Sequence, residues 1–173
     1  MGITLENFVK LYKANSKAKD KTFEEFLNKH IVRDYIGFIE KSVICEGIVK
    51  ATCMKQDGDR EFISFNSPNR YVFFVMKLIE KYTDIEIKID DSHTLDYYYD
   101  ELNKIGAISA ILNALPEGEY GEFSTSLNMK IDDLRDNEYS ITALLYNLKQ
   151  SFSLSEEVIN SVIEELKKQA KEE

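Results

Sequence analysis

The apolar run from Tyr71 to Ile79 constrains the fold of this chain more than any other segment. Lys77 is its single polar residue. A helix that is apolar on all sides must be covered on all sides, and this run is far shorter than the roughly 20 residues that span a bilayer. Just before the run, Ser67 can cap the first N–H groups of a helix and Pro68 has a helical φ with no N–H to lose. We therefore predict a central buried helix over Pro68–Tyr82 in a soluble domain.

Helical spacing of apolar residues predicts further helices on both sides of this central one. Thr4 caps the first, and Thr22 with Glu25 forms a capping box for the second. The third covers Tyr35 to Thr52, and we expect its inward residues to be Ile36, Ile39, Val43, Ile44, Ile48 and Val49. Later helices are predicted over 95–105, with Gly106 as its stop, 107–115, 117–137, 141–152 and about 154–170. The helix over 117–137 has one inward seam, formed by Tyr120, Ser124, Leu127, Ile131 and Leu134.

The segment from about 52 to 66 has the pattern of a β-hairpin. Asp57-Gly58 favours a tight turn between the short runs Thr52–Lys55 and Glu61–Phe65. Ile85–Ile89 alternates strictly, which indicates either a third strand beside the hairpin or an extended connector. The sequence thus predicts a mainly α protein with a minor β part, built as a single domain over 1–173 around the central helix.

Charge and cysteine usage bound the class of partner and the compartment. The net charge is −9, and after residue 81 there are 20 acidic residues against 8 basic ones. A nucleic-acid-binding protein needs clustered cationic side chains to neutralise the phosphates, so we do not expect this acidic chain to bind nucleic acid directly. The acidic balance fits a basic protein partner or serves solubility alone. Cys45 and Cys53 make no disulfide framework and no secretory signal is present, so we expect a cytoplasmic protein without membrane contact.

No catalytic, metal or cofactor motif is evident, and the sequence predicts a protein that is not an enzyme. His30, between apolar helix residues, is expected to be a half-buried structural histidine. His93 follows Asp90 and Asp91 and is the better candidate for chemistry. A metal site needs three or four converging ligands, which these residues do not supply.

The tyrosine run Tyr97-Tyr98-Tyr99 is the strongest indication of a binding surface. Consecutive helix residues point about 100° apart, so we expect at least one of these rings to be exposed. Acidic residues surround the run, with Lys88 as the local cation. Tyrosine anchors interfaces and carboxylates steer a basic partner, although a solvated helix with one outward ring has the same pattern. The predicted partner-binding residues are Asp84, Glu86, Asp90, Asp91, Asp96, Tyr97, Asp100 and Glu101.

Three blocks of sequence together carry a family resemblance. They are Lys29–Ile36, the stretch from Asn66 to Ile87, and Glu119–Asp133 with its Glu119-Tyr120-Gly121-Glu122-Phe123 start. Over about residues 5–150 the chain resembles small acidic proteins encoded by phages and prophages of low-GC Gram-positive bacteria. The resemblance implies a phage setting and transfers no catalytic residues.

Three functions follow as expectations. The first is a non-enzymatic phage protein that binds another protein during virion or tail assembly. The second is an anti-defence inhibitor of the anti-CRISPR type, whose carboxylates imitate DNA phosphates against a host defence nuclease. One exposed row of carboxylates at phosphate-like spacing would favour this second function. The third is a small hydrolase-like enzyme that uses His93 with nearby carboxylates.

Overall fold

The computed structural model of the protein describes residues 2–17, 21–57, 60–64 and 66–138. The chain divides into two units, Met1–Lys130 and Ile131–Glu173. Within the described residues, the mainly α prediction with a minor β part is confirmed. The helices are α1 (Leu5–Asn15), α2 (Lys21–His30), α3 (Phe38–Cys53), α4 (Ser67–Tyr82), α5 (Leu95–Lys104), α6 (Ala107–Ala114) and α7 (Glu119–Glu138), and the strands are β1 (Ile3–Thr4), β2 (Met54–Asp57), β3 (Arg60–Ile63) and β4 (Ile85–Glu86).

Helix α4 is the central buried helix that the sequence predicts. Its residues Phe74–Met76, Leu78, Ile79 and Tyr82 are buried, and it contacts α3, α5, α6 and β4. Its cover is incomplete, because Tyr71 is exposed and Phe73 is half-buried. The helix start is also one residue earlier than predicted. Asn66 is the N-cap and its side chain accepts a hydrogen bond from the Asn69 N–H at 3.1 Å.

Helix α3 begins at Phe38 rather than Tyr35, with Gly37 at its N-cap. The prediction that Ile39 and Val43 face inward is wrong, since they are 79% and 63% exposed. The inward side instead carries Lys41, together with Cys45, Ile48, Val49, Thr52 and Cys53. This helix is apolar over most of its circumference, so periodicity alone could not tell which side faces the core.

The β elements form two separate two-stranded sheets. Strands β2 and β3 make the predicted antiparallel hairpin, with Met54 opposite Ile63 and Asp57 opposite Arg60. Asp57 therefore lies in a strand, and the residues that join the strands are outside the described part of the chain. Strand β4 pairs in parallel with β1, Ile3 opposite Ile85, and not with the hairpin as one reading of Ile85–Ile89 had it.

For the later described helices, the predicted ends are close to the observed ones, but the predicted inward-facing residues agree less well. Gly106 has φ of +73°, a left-handed conformation that stops α5 as expected. In α7 the predicted seam is wrong at Tyr120, which is 40% exposed, while Glu119, Phe123 and Leu127 are buried. The predicted C-terminal helices and the prediction of one domain involve residues 139–173, which lie outside the described residues. Among the described helices, none is long and apolar enough to cross a membrane.

Candidate partner-binding surface

Three of the predicted partner-binding carboxylates lie on open surface around the start of α5. Asp91 is in the loop that precedes the helix, and Asp96 and Asp100 are four residues apart on α5. All three are exposed. Within the part of the chain that the structure describes, none of them has a salt-bridge partner.

The other predicted carboxylates are already paired. Asp84 lies 2.8 Å from His30 Nδ1, Glu86 accepts from Lys88 at 2.6 Å, and Glu101 accepts from Lys104 at 2.7 Å. Asp90 accepts from the backbone N–H groups of Ser92 and His93, each at 2.8 Å, and its carboxylate lies 3.0 Å from His93 Nδ1. The structure therefore divides the predicted acidic patch into a paired part and an unpaired part.

These partners hold two of the carboxylates in their charged form. The side chain of Lys88 lowers the pKa of Glu86, and the backbone N–H of Ser92, with the ring and the backbone N–H of His93, lowers the pKa of Asp90. Hydrogen bonds to the charged form of a carboxylate favour that form. Asp90 therefore fixes the conformation of its own loop in addition to placing a negative charge on the surface.

The tyrosine run is less open than the sequence predicts. Tyr98 is buried, and its hydroxyl donates to the Lys88 carbonyl at 2.9 Å. Tyr97 and Tyr99 are half-buried. The ring of Tyr97 lies edge-on to His93, with centroids 5.1 Å apart, and that of Tyr99 lies edge-on to Tyr71 at 6.3 Å. Neighbouring aromatic rings thus cover part of each ring, whereas the sequence predicts that at least one of the three is exposed.

His93 lines a small polar cleft beside this surface. The cleft has a volume of about 190 Å³, and His30 does not line it. Its walls are Thr4, Leu5, Glu6, Glu86, Lys88, Asp90, His93 and Tyr98. Among the described residues, no group of three or more potential ligands could hold a metal ion.

His30 is more deeply buried than the half-buried structural histidine that the sequence predicts. It is buried, its ring lies edge-on to Phe8 and Phe26, and its Nδ1 contacts Asp84. The backbone of Asp84 donates to the His30 carbonyl at 3.1 Å, so the end of α2 is bound twice to the segment that follows α4.

A buried ionic network joins α3, α4 and α7, and no local sequence pattern predicted it. Lys41 is 2% exposed and its Nζ lies 2.7 Å from Glu119 and 2.5 Å from Glu122. Glu119 also accepts from the hydroxyl of Tyr82 and from the Ile36 N–H. Three donors therefore converge on one buried carboxylate, and each of these buried polar groups has at least one hydrogen-bond partner.

The network keeps its charges despite its burial. Desolvation opposes the charge on Lys41, but hydrogen bonds to Glu119 and Glu122 outweigh it and raise the pKa of that amine. Desolvation likewise opposes the charge on Glu119, but its bonds to Lys41, Tyr82 and Ile36 lower the pKa of that carboxyl. Burial and the bond to Glu119 raise the pKa of Tyr82. The arrangement is an ion pair that holds helices together rather than a site open to a substrate.

The sequence analysis missed an exposed apolar surface on α3. Phe38, Ile39 and Val43 are between 63% and 79% exposed. Tyr35, which precedes the helix, is 64% exposed and its ring lies 4.8 Å from the Lys41 ammonium. Val43 also lines an apolar groove of about 320 Å³ between α3 and α4. An apolar patch of this kind often marks a protein interface. The sequence signal that could have revealed this surface is that α3 carries more apolar residues than one buried side of a helix can hold.

Comparison of the chain with protein-family models, with curated proteins and with solved structures gave no match.

Proposed function

We propose that this protein is a non-enzymatic, phage-encoded protein that binds another protein during virion or tail assembly, in the cytoplasm of a bacterial host. The observation that supports this function is the unpaired part of the acidic surface. Asp91, Asp96 and Asp100 are exposed next to the half-buried Tyr97 and, within the described residues, have no cation at salt-bridge distance.

The spacing of these carboxylates favours a basic partner. Asp96 and Asp100 are neighbours on the surface of α5, and like charges at this spacing destabilise a helix by about 0.2–0.5 kcal/mol. A lysine or arginine of a partner would remove that repulsion. The ring of Tyr97 adds apolar area beside the charges, and tyrosine is enriched at interfaces. The partner expected here is therefore a protein with a basic patch that includes an apolar contact.

Affinity purification from a lysogen that carries the gene tests this function. The tagged wild-type chain should retain a virion structural protein, identified by mass spectrometry, and the complex should weaken as salt is raised. The variant Asp91→Asn/Asp96→Asn/Asp100→Asn should retain much less of it, because its surface charges no longer attract the basic patch.

The matched control removes the same charge elsewhere. Glu24, Asp34 and Glu117 are exposed and outside the acidic surface, so Glu24→Gln/Asp34→Asn/Glu117→Gln should bind like the wild type. Equal loss in both triple variants would mean that net charge alone governs binding. Failure of the wild-type chain to retain any virion protein would overturn the assembly function.

The anti-CRISPR alternative would be supported by one exposed row of carboxylates at phosphate-like spacing. In the structure Asp84, Glu86 and Asp90 are engaged by His30, Lys88 and the Ser92–His93 backbone. A carboxylate with its own donors imitates a phosphate less well than a free one. The paired state of these three residues therefore favours the assembly function over mimicry of DNA.

A further inference from the structure

An apolar groove runs between α3 and α4, which lie antiparallel. The carbonyl of Cys53 at the end of α3 accepts from the Ser64 N–H at 2.8 Å, just before α4 begins. At the other end of the pair, Lys41 of α3 and Tyr82 of α4 contact the same carboxylate, that of Glu119. The groove between the two helices has a volume of about 320 Å³, and the residues that line it are Val43, Ile44, Gly47, Ile48, Ala51, Phe73, Lys77 and Lys81.

The α3 wall of this groove is open to solvent. Val43 is 63% exposed, and Gly47 and Ala51 are exposed as well. A Cβ built at Gly47 would meet nothing within 4 Å, so an approaching group can reach the backbone there. Ile39 lies one turn before Val43 in the same i+4 row and extends the exposed apolar surface beyond the groove. An occupant must therefore cover a surface as well as fill a groove.

The α4 wall carries two lysines with one carboxylate between them. Lys77 and Lys81 are four residues apart on α4 and are the charged residues among those that line the groove. The carboxylate of Glu80 accepts from Lys77 at 2.6 Å but lies 3.8 Å from the Lys81 ammonium, which is beyond hydrogen-bonding distance. Within the described residues, this wall therefore has one positive charge in excess.

The other charged side chains near α3 do not offset this excess. Arg33 and Glu40 form an ion pair at 2.9 Å, and Glu46 and Lys50 form another at 2.8 Å. The Lys50 ammonium and, more weakly, that of Lys130 lower the pKa of Glu46. On a chain of net charge −9, the groove is thus an apolar surface with a local positive charge. Because complementary charges select partners, its occupant should combine apolar and acidic side chains.

An amphipathic helix with acidic residues along one edge matches both walls. Such a helix lays apolar side chains at i, i+3 or i+4, and i+7 into a groove. The eight residues from Val43 to Ala51 rise about 12 Å, enough for about two turns of a partner helix. Carboxylates four residues apart on that helix have the same spacing as Lys77 and Lys81. A single hydrocarbon chain with an anionic head fits less well, because small-molecule sites enclose most of their ligand and the α3 wall is open.

We propose that the groove between α3 and α4 binds an acidic amphipathic helix of a partner protein, whose carboxylates pair with Lys77 and Lys81. The inference goes beyond the proposed assembly function, because it uses another surface and a partner of opposite charge. Binding at the groove should survive the Asp91→Asn/Asp96→Asn/Asp100→Asn change, so failure of this site and failure of the assembly function are distinguishable.

NMR titration of the isotope-labelled full chain with two designed peptides tests the site. Both peptides are helices of about 18 residues with leucine at i, i+3, i+4 and i+7, and the residues beside the leucines are glutamate in one and lysine in the other. At up to about 1 mM, the glutamate peptide should shift the signals of Gly47, Ala51 and Lys77 saturably. Its binding should weaken as salt is raised. The lysine peptide, which the acidic surface around α5 attracts, should leave these three signals in place.

Reversing the charge of the α4 wall gives the sharpest comparison. Lys77→Glu/Lys81→Glu should weaken binding of the glutamate peptide by at least about tenfold. Lys10→Glu/Lys29→Glu is the matched control, since it changes the net charge equally at exposed lysines of α1 and α2, and it should bind like the wild type. Gly47→Leu should block the groove although leucine favours the helix. Circular dichroism verifies that each variant keeps its helix content.

Four results would overturn the proposal. The first is a wild type whose groove signals do not move with the glutamate peptide, whatever occupies the groove instead. The second is an equal response of these signals to both peptides, since charge would then not select the occupant. The third is unchanged affinity of Lys77→Glu/Lys81→Glu for the glutamate peptide. The fourth is a tighter response of the same signals to decanoate, which would assign the groove to a small amphiphilic anion.

Discussion

Replacing Glu119 by glutamine tests whether the buried network stabilises the fold as its geometry indicates. One oxygen of Glu119 accepts from Lys41 at 2.7 Å, and the other accepts from Tyr82 and from the Ile36 N–H. A glutamine amide replaces one of these acceptors with a donor. Either Lys41 or the Tyr82 and Ile36 pair then faces an N–H group in a buried position, where donors without acceptors are costly.

The expected loss is about 3–5 kcal/mol, which is typical of breaking a buried ion pair by removing one partner. Glu122→Gln is the matched control. Glu122 also contacts Lys41, but its side chain is 61% exposed, so its loss should be at most about 1 kcal/mol. Adding Lys41→Met to Glu119→Gln should restore stability rather than lower it further, since it removes a buried ammonium whose one remaining ionic partner among the described residues is the exposed Glu122.

Urea unfolding, followed by far-UV circular dichroism and by tyrosine fluorescence, measures these differences. The chain has 10 tyrosines and no tryptophan, so the tyrosine signal is not masked. The reasoning would be refuted if the losses of unfolding free energy for Glu119→Gln and Glu122→Gln agreed within about 1 kcal/mol, because the two contacts would then contribute equally to stability.

The stability difference between the wild type and Glu119→Gln should depend on pH. The pKa of Glu119 is lowered in the folded state from its ordinary value of 4.5. The stability that it contributes is therefore present above pH 4.5 and is lost as the pH falls through the folded-state pKa. The wild type should lose its advantage over Glu119→Gln in that acidic range. A constant difference between the two proteins down to low pH would contradict the assignment.

Three smaller predictions concern burial, thiol reactivity and backbone conformation. Ile79→Ala, in the fully buried part of α4, should cost about 2–5 kcal/mol, whereas the exposed Ile89→Ala should cost no more than about 0.5 kcal/mol; equal losses in urea unfolding would contradict the burial of α4. Cys45 is buried and burial raises the pKa of its thiol, so a thiol reagent should modify it far more slowly in the folded protein than in urea; equal rates would show that it is accessible. Gly106→Ala should cost about 1–2 kcal/mol because φ is +73° there, while Gly121→Ala in α7 should stabilise the protein by about 0.5–1 kcal/mol. Thermal unfolding compares the two variants, and a loss of stability at both positions would contradict the backbone conformations assigned to them.

Much of the described fold follows from local chemistry and could be predicted. Thr4 does cap α1, accepting from the Asn7 N–H at 3.4 Å, and Gly106 does end α5. The run after Pro68 is a helix with a buried middle. These features depend on residues within a few positions of one another, which is why a single sequence contains the information.

The candidate surface was predictable only in part. The acidic composition around α5 is evident in the sequence, but the pairing of Asp84 with His30 is not, because the two residues are 54 positions apart. The exposed apolar surface on α3 was assigned to the core. Apolar residues surround that helix, and periodicity cannot choose a buried side when several sides are equally apolar.

The sequence by itself determined that these segments are helices, that one of them has a buried middle, and that acidic residues accumulate near the tyrosine run. The tertiary structure alone decided which side of α3 faces the core. Lys41 lies on that side because Glu119, 78 residues further along the chain, supplies the buried charge that it needs. Ile39 and Val43 are left on the surface for the same reason, since only one side of a helix can face a given partner.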